Sequence, residues 1–100
     1  MALLEISVVP LGTSTPSIGN YIADVVVACK KAKVKYKLTD MGTIVEGRPN
    51  DLFNLARKLH EIPFKKGIKR VMTTLSIDDR RDKKVKLDSK VTSVMARIGK

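Results

Sequence analysis

The stretch "LTDMGTIVEG", residues 38–47, decides the fold, because it predicts two short strands joined by a tight turn. Apolar and polar residues alternate over 34–39 before the turn, and residues 42–47 form the strand that follows it. The two strands pair as a hairpin across Asp40-Met41. Glu46 lies late in the second strand, where a carboxylate is disfavoured. A solvated charge or a bound group would explain it.

The same kind of patterning predicts the other elements on either side of the hairpin. Strands are expected at 2–11 and 70–78, and helices at 17–33, 50–62 and 86–98. The first helix starts near Pro16 or Ser17, and Asn50 is expected to cap the second. The order β-α-β-β-α-β-α is ferredoxin-like, an α+β class with a four-stranded antiparallel sheet and an extra C-terminal helix. One hundred residues suit a single domain over 1–100.

The two crossover helices of such a fold cover only one face of the sheet. Successive residues of a strand point to opposite faces, and the sequence leaves open which of them form the open face. One possibility is Leu3, Ser7 and Val9 of the first strand with Met72, Thr74 and Ser76 of the last, and the other is the residues that alternate with them. A half-apolar open face on a small protein is an association surface. We therefore expect a homo-oligomer built through sheets.

Positive charge is concentrated in three clusters, at 30–37, 65–70 and 80–90, and the formal net charge is +10. Such clusters can attract phosphate or nucleic acid, but a solvated, lysine-rich surface is the explanation that we favour. RNA-binding sheets of this kind usually stack bases on exposed aromatic residues. Neither the first nor the last strand contains an aromatic residue, so we do not expect a nucleic-acid partner.

No group of residues predicts catalysis, a metal site or a cofactor. The single Cys29 lies on the apolar stripe of a helix, which predicts a small buried hydrophobe, and the single His60 lies on a helix without further ligands. No glycine-rich nucleotide loop is present. No apolar run reaches 18 residues and no basic leader is evident, so we expect no membrane segment and a cytoplasmic protein.

The segment "PLGTSTPSIGN", residues 10–20, leads from the first strand into a helix N-terminus. Free backbone N–H groups at such a start can bind an anion over residues 13–18. An ordinary strand-to-helix turn would have the same composition. The sequence leaves both interpretations open.

Four segments together resemble the YkoF-like thiamine-binding family of small ferredoxin-like proteins. They are "VVPLGTSTPSIGNYIA" (8–23), "YKLTDMGTIVEG" (36–47), "KRVMTTLSIDDRRDK" (69–83) and "LDSKVTSVMARI" (87–98). The resemblance implies sheets that pair into dimers and dimers that pair into a tetramer. It also implies binding of thiamine or its hydroxymethyl-aminopyrimidine portion without catalysis.

An aminopyrimidine offers a ring nitrogen beside an amine, and thiamine adds a fixed positive charge. Carboxylates and hydroxyls suit these groups, and a glycine allows a ring to approach the backbone. The candidate ligand residues on the family-like segments are Thr13, Ser14, Tyr21, Gly42, Thr43, Glu46 and Arg80.

Two features complicate this set. Strand alternation puts Thr43 and Glu46 on opposite faces, so one ligand could contact both only through a bulge or across a subunit interface. A salt bridge from Glu46 to Arg48 or Arg80 is the alternative explanation for the carboxylate. The charge of +10 also disfavours a cationic ligand within the screening length of about 8–10 Å. A phosphorylated form, or another anion at residues 13–18, suits that charge better.

Overall fold

The computed structural model describes residues 1–13 and 18–99, and its elements follow the predicted order. The elements are β1 (Ala2–Leu11), α1 (Gly19–Lys31), β2 (Lys35–Thr39), β3 (Gly42–Gly47), α2 (Pro49–Glu61), a 3-10 turn (Phe64–Lys66), β4 (Arg70–Asp78) and α3 (Ser89–Ile98). The strands form one antiparallel sheet in the order β2-β3-β1-β4. The predicted ferredoxin-like α+β fold is confirmed.

One face of the sheet and one stripe of each crossover helix form the core. The alternating residues Leu4, Ile6 and Val8 of β1 are buried, as is Val45 of β3. The helices contribute Val25 and Cys29 from α1 and Leu52, Leu55, Ala56 and Leu59 from α2. These positions follow the four- and three-residue steps of an amphipathic helix. Each fully buried leucine side chain contributes about 1.5–3 kcal/mol. Cys29 is a buried free thiol, as predicted.

The helix starts differ from the prediction. The N-cap of α2 is Arg48 rather than Asn50, and Pro49 takes the first helical position. Proline suits that position because its fixed φ is already helical and its missing N–H would have had no helical partner there. The N-cap of α1 is Ile18, while the predicted start at Pro16 or Ser17 lies outside the described residues. α3 begins at Ser89 because Asp88 adopts a left-handed φ of 68°.

The structure decides which residues form the open face of the sheet. Glu5 of β1 lies between Ile44 of β3 and Ser76 of β4 in the register, on the face opposite the core. The same alternation places Leu3, Ser7, Val9, Met72 and Thr74 on this face. α1 and α2 pack on the other side. This open face is therefore mixed, with apolar side chains, hydroxyls and one central carboxylate.

Candidate functional site

A cavity lies between the β2–β3 turn, the start of α1 and the middle of β1. It has a volume of about 90 Å³. Its walls are mainly apolar, with a few polar groups at the turn. The lining residues are Ile6, Ser7, Val8, Ile18, Ile22, Val25, Leu38, Thr39, Asp40, Met41, Gly42 and Thr43. An apolar pocket with a few convergent polar groups is the usual form of a small-molecule site.

The side chains of Thr43 and Asp40 line the cavity without a partner in the described part of the chain. Thr39 is committed to the turn: its hydroxyl donates to the Gly42 carbonyl at 2.7 Å and accepts from the Met41 N–H at 3.3 Å. Thr43 is only 3% exposed, and no hydrogen bond joins its hydroxyl to any described residue. Asp40, at the rim, likewise forms no ion pair with the described residues. A hydroxyl and a carboxylate are therefore available to a ligand.

Gly42 is required by the sheet itself. A Cβ at this position would lie 2.8 Å from the carbonyl oxygen of Ile6 on β1. The atoms that approach the Gly42 backbone so closely therefore belong to the neighbouring strand. Gly42 shapes the cavity by letting the turn close against β1.

The size of the cavity limits what it can enclose. A cavity of about 150 Å³ is large enough to hold a benzene-sized ring, and this one is smaller. It admits one edge of a ring, while the remainder of the molecule lies at the mouth. Met41 forms part of that mouth and is 82% exposed. Its flexible side chain can adjust to what binds there.

Glu46 lies elsewhere. It pairs with Leu3 of β1 and Lys35 of β2 in the register, on the open face, whereas Thr43 lies on the core face. Its Oε1 accepts a hydrogen bond of 2.6 Å from the backbone N–H of Leu87. The predicted salt bridge to Arg48 or Arg80 is wrong: Arg48 pairs with Asp51, and Arg80 pairs with Asp82. Within one protomer, Glu46 and Thr43 do not share a site.

The other candidates are spread over the molecule. Thr13 is half-buried two residues after the end of β1, and Ser14 lies outside the described residues. Tyr21 is on α1, with the Lys66 Nζ 5.7 Å from its ring centroid. Arg80 is in the exposed loop after β4, where its hydrogen bonds to Asp82 lower the pKa of that carboxyl. Of the six candidates that the structure describes, Gly42 and Thr43 line the cavity.

Sequence analysis missed Asp40 and the apolar walls around it. Asp40 was interpreted only as a turn residue, because aspartate is common in turns. The leucine and isoleucine walls, Leu38, Ile18 and Ile22, were assigned to strand and helix stripes. These side chains are incompletely buried, which leaves the cavity open. Their burial depends on how distant elements pack, and a local sequence pattern does not show this. The signal in the sequence was an acidic residue in the turn, Asp40, followed three residues later by the hydroxyl of Thr43.

Neither His60 nor Cys29 forms a reactive centre. His60 Nδ1 lies 2.7 Å from the Thr73 hydroxyl, and the ring packs edge-on against Phe64. Burial raises the pKa of the Cys29 thiol, which keeps it protonated. Over residues 1–13 and 18–99, no cluster of three acidic, histidine or cysteine side chains could hold a metal ion.

A ferredoxin-like sheet with one open face and a small, mainly apolar cavity beside its hairpin is typical of a small ligand-binding protein. A sequence model of the family described as thiamine-binding protein matches residues 4–95. The chain belongs to this family. None of the helices in the described part of the chain is long and apolar enough to cross a bilayer.

Relatives and solved structures agree with this assignment. The UPF0045 protein YqgV of Bacillus subtilis is 47% identical over 98 residues, covering 94% of each chain. A UPF0045 protein of Methanothermobacter thermautotrophicus is 42% identical over 99 residues, covering 98% of this chain and all of that one. The crystal structure of the hypothetical protein MJ1052 of Methanocaldococcus jannaschii superposes with a TM-score of 0.83 at 27% identity. That superposition covers 93% of this chain and 94% of the other.

A further structure shares the fold. A candidate thiamine biosynthesis/salvage protein of Thermotoga maritima superposes with a TM-score of 0.78 at 20% identity, covering 93% of this chain and 97% of the other. At that identity the likeness shows the fold alone.

Proposed function

We propose that this protein binds thiamine, or its hydroxymethyl-aminopyrimidine portion, without catalysing a reaction on it. The observation that carries the proposal is the cavity beside the β2–β3 turn, with the unpartnered Thr43 hydroxyl inside and the Asp40 carboxylate at the rim. Family membership over residues 4–95 supports the choice of ligand.

The donors and acceptors of the cavity complement an aminopyrimidine. The Thr43 hydroxyl can accept a hydrogen bond from the exocyclic amine or donate one to a ring nitrogen. A ring edge between Ile22 and Leu38 removes apolar surface from water, worth about 25 cal/mol per Å². A hydrogen bond between the ligand and the Thr43 hydroxyl contributes about 0.5–1.5 kcal/mol.

The cavity volume orients the ligand. Since only one edge of a ring is enclosed, the pyrimidine enters and the cationic thiazolium stays at the mouth. Asp40 is the carboxylate at that mouth. Its charge offsets part of the repulsion between a cation and a protein of net charge +10.

Binding without catalysis is consistent with the residues present. Among the described residues that line the cavity there is no histidine, cysteine or lysine that could act as a nucleophile or general base. His60 and Cys29 are committed to packing elsewhere. The carboxylate of Asp40 serves to balance charge.

We also propose that the protomers assemble through their sheets, as a dimer of dimers. The protomer exposes 7230 Å² of surface, whereas a compact protein of 11.1 kDa exposes about 5,700 Å². Its radius of gyration is 15.0 Å, against about 13 Å for a compact chain of this length. A standard interface buries about 800 Å² per partner. The excess surface is therefore enough for about two interfaces.

The exposed apolar surface of the protein lies on α3 and on the open sheet face, and a second copy of the chain could cover both. α3 contains no buried residue, and its apolar stripe of Val91, Val94, Met95 and Ile98 is more than half exposed. A ten-residue helix is marginal in water without tertiary packing. The open sheet face presents Val9 and Met72. Reciprocal packing of two protomers would cover both surfaces.

Isothermal titration of thiamine, with the free aminopyrimidine alcohol alongside, tests the binding proposal. We expect saturable binding at a fixed stoichiometry per protomer, and a loss of about tenfold or more in Thr43→Val, which keeps the side-chain shape and removes the hydroxyl. Thr74→Val makes the same change on the open face and serves as the control. No heat with either compound, or equal affinity in Thr43→Val, would overturn the assignment.

A further inference from the structure

A second depression lies where β1 ends and β4 begins. Its walls are Leu11, Gly12 and residues 67–70, and we call it the basic groove. Gly12 and Gly67 adopt left-handed φ values of 77° and 91°, and nothing lies within 4 Å of where their Cβ atoms would be. The groove is therefore open and partly walled by backbone.

Unneutralised positive charge lines the basic groove. Four of the six residues 65–70 are basic, and none is acidic. Lys66 is bound to Asp24 and lies over the Tyr21 ring. Lys69 and Arg70 form no ion pair with any residue of the described ranges. The two cations that line the groove, Lys69 and Arg70, are thus available to an anion.

The basic groove and the cavity lie toward the same end of the sheet. β1 contributes Val8 to the cavity and Leu11 to the groove. Three strand residues span about 10 Å. One elongated molecule can therefore reach from one depression to the other.

We propose that the basic groove binds the phosphate groups of a thiamine phosphate ester whose pyrimidine occupies the cavity. This inference rests on the proposed function, and it names the phosphorylated ligand class. Thiamine alone is a cation, which a protein of net charge +10 repels. A diphosphate ester is an anion, which the same field attracts.

The groove residues suit phosphate chemistry. The planar guanidinium of Arg70 can donate two parallel hydrogen bonds to phosphate oxygens, and Lys69 adds a mobile point charge. Charge-assisted bonds of this kind are about twice as strong as neutral ones. Exposed cations are screened by salt, so the preference for the ester should weaken as ionic strength rises.

The test compares thiamine, thiamine monophosphate and thiamine diphosphate by titration into wild-type protein and into a Lys69→Ala/Arg70→Ala double variant. We expect the diphosphate to bind the wild type at least about tenfold more tightly than thiamine, equivalent to about 1.4 kcal/mol. The double variant should bring the two affinities close together while thiamine affinity stays unchanged or rises. Lys83→Ala/Lys84→Ala removes the same charge from the loop after β4 and is the matched control.

The possible outcomes separate this inference from the proposed function. If thiamine binds and the diphosphate binds no tighter, the groove assignment fails and the cavity assignment stands. Pyrophosphate alone, bound by wild type and lost in the double variant, would support the groove even if thiamine failed in the cavity. A single-stranded oligonucleotide that binds the groove and displaces the diphosphate while Thr43→Val has no effect would overturn the inference in favour of nucleic-acid phosphates.

Discussion

The Glu46 carboxylate accepts a 2.6 Å hydrogen bond from the backbone N–H of Leu87, a residue 41 positions later. Two ion pairs flank this bond, from Lys37 to Asp88 at 3.0 Å and from Lys90 to Asp78 at 3.3 Å. Glu46 and Asp78 both pair with Leu3 at one end of the open sheet face, and Lys37 lies on the same face opposite Ile44. The three contacts attach the start of α3 to the sheet and leave the remainder of the helix projecting.

Glu46→Ala should loosen this attachment. A hydrogen bond to a charged acceptor contributes about 1.5–3 kcal/mol, so we expect residues 85–98 to exchange their amide hydrogens faster while the sheet stays protected. Thiamine affinity should change less than in Thr43→Val, because Glu46 and the cavity lie on opposite faces. Hydrogen exchange and titration on the same sample give both readouts.

Asp82→Ala is the control for Glu46→Ala, since Asp82 is an exposed acid whose partner is Arg80. One result would favour the interpretation drawn from the sequence, in which Glu46 contacts the ligand. If Glu46→Ala abolished thiamine binding with exchange of residues 85–98 unaltered, Glu46 would be a ligand residue, contributed across a subunit interface.

The apolar stripe of α3 should hold the proposed oligomer together. Val94→Glu places a charge in the middle of the stripe, and we expect it to shift the assembly toward smaller species, as measured by light scattering after gel filtration. Ser93→Glu adds the same charge at a neighbouring position outside the stripe and should leave the mass unchanged. An unaltered mass in Val94→Glu would place the interface elsewhere.

Gly42→Ala should destabilise the fold. The new Cβ would meet the Ile6 carbonyl at 2.8 Å, so β1 and the turn must separate. We expect a loss of about 2–3 kcal/mol in the free energy of unfolding, measured with denaturant. Gly19→Ala, at the start of α1 with no atom near the new Cβ, should be neutral or slightly stabilising. Equal denaturant midpoints for Gly42→Ala and Gly19→Ala would contradict the close approach of Gly42 to the Ile6 carbonyl.

The sequence predicted the elements because their patterns are local. The alternation of β1 and the stripe of α2 each fix which face is buried, and the structure agrees at Leu4, Leu52 and Leu59. Helix starts were less predictable. Arg48, which has no capping side-chain bond, precedes Pro49, and proline geometry outweighed the capping preference of Asn50.

The candidate site was only partly predictable. Gly42 and Thr43 were found because they lie on the hairpin that decides the fold. Asp40 was missed because its approach to α1 depends on packing between distant segments. The partner of Glu46 was missed for the same reason, since no local pattern links residue 46 to the Leu87 N–H.

Asp40→Asn should show whether Asp40 interacts with the positive charge of thiamine or with its uncharged pyrimidine portion. Asp40 lies at the mouth of the cavity, where we place the thiazolium. We expect thiamine affinity to fall by about tenfold and the affinity of the uncharged aminopyrimidine alcohol to change little, because only thiamine carries the fixed cation. Asp51→Asn, at an exposed position near the start of α2, is the control. Equal losses for both ligands would place the pyrimidine, rather than the thiazolium, against Asp40, and unchanged affinity for both would remove Asp40 from the site.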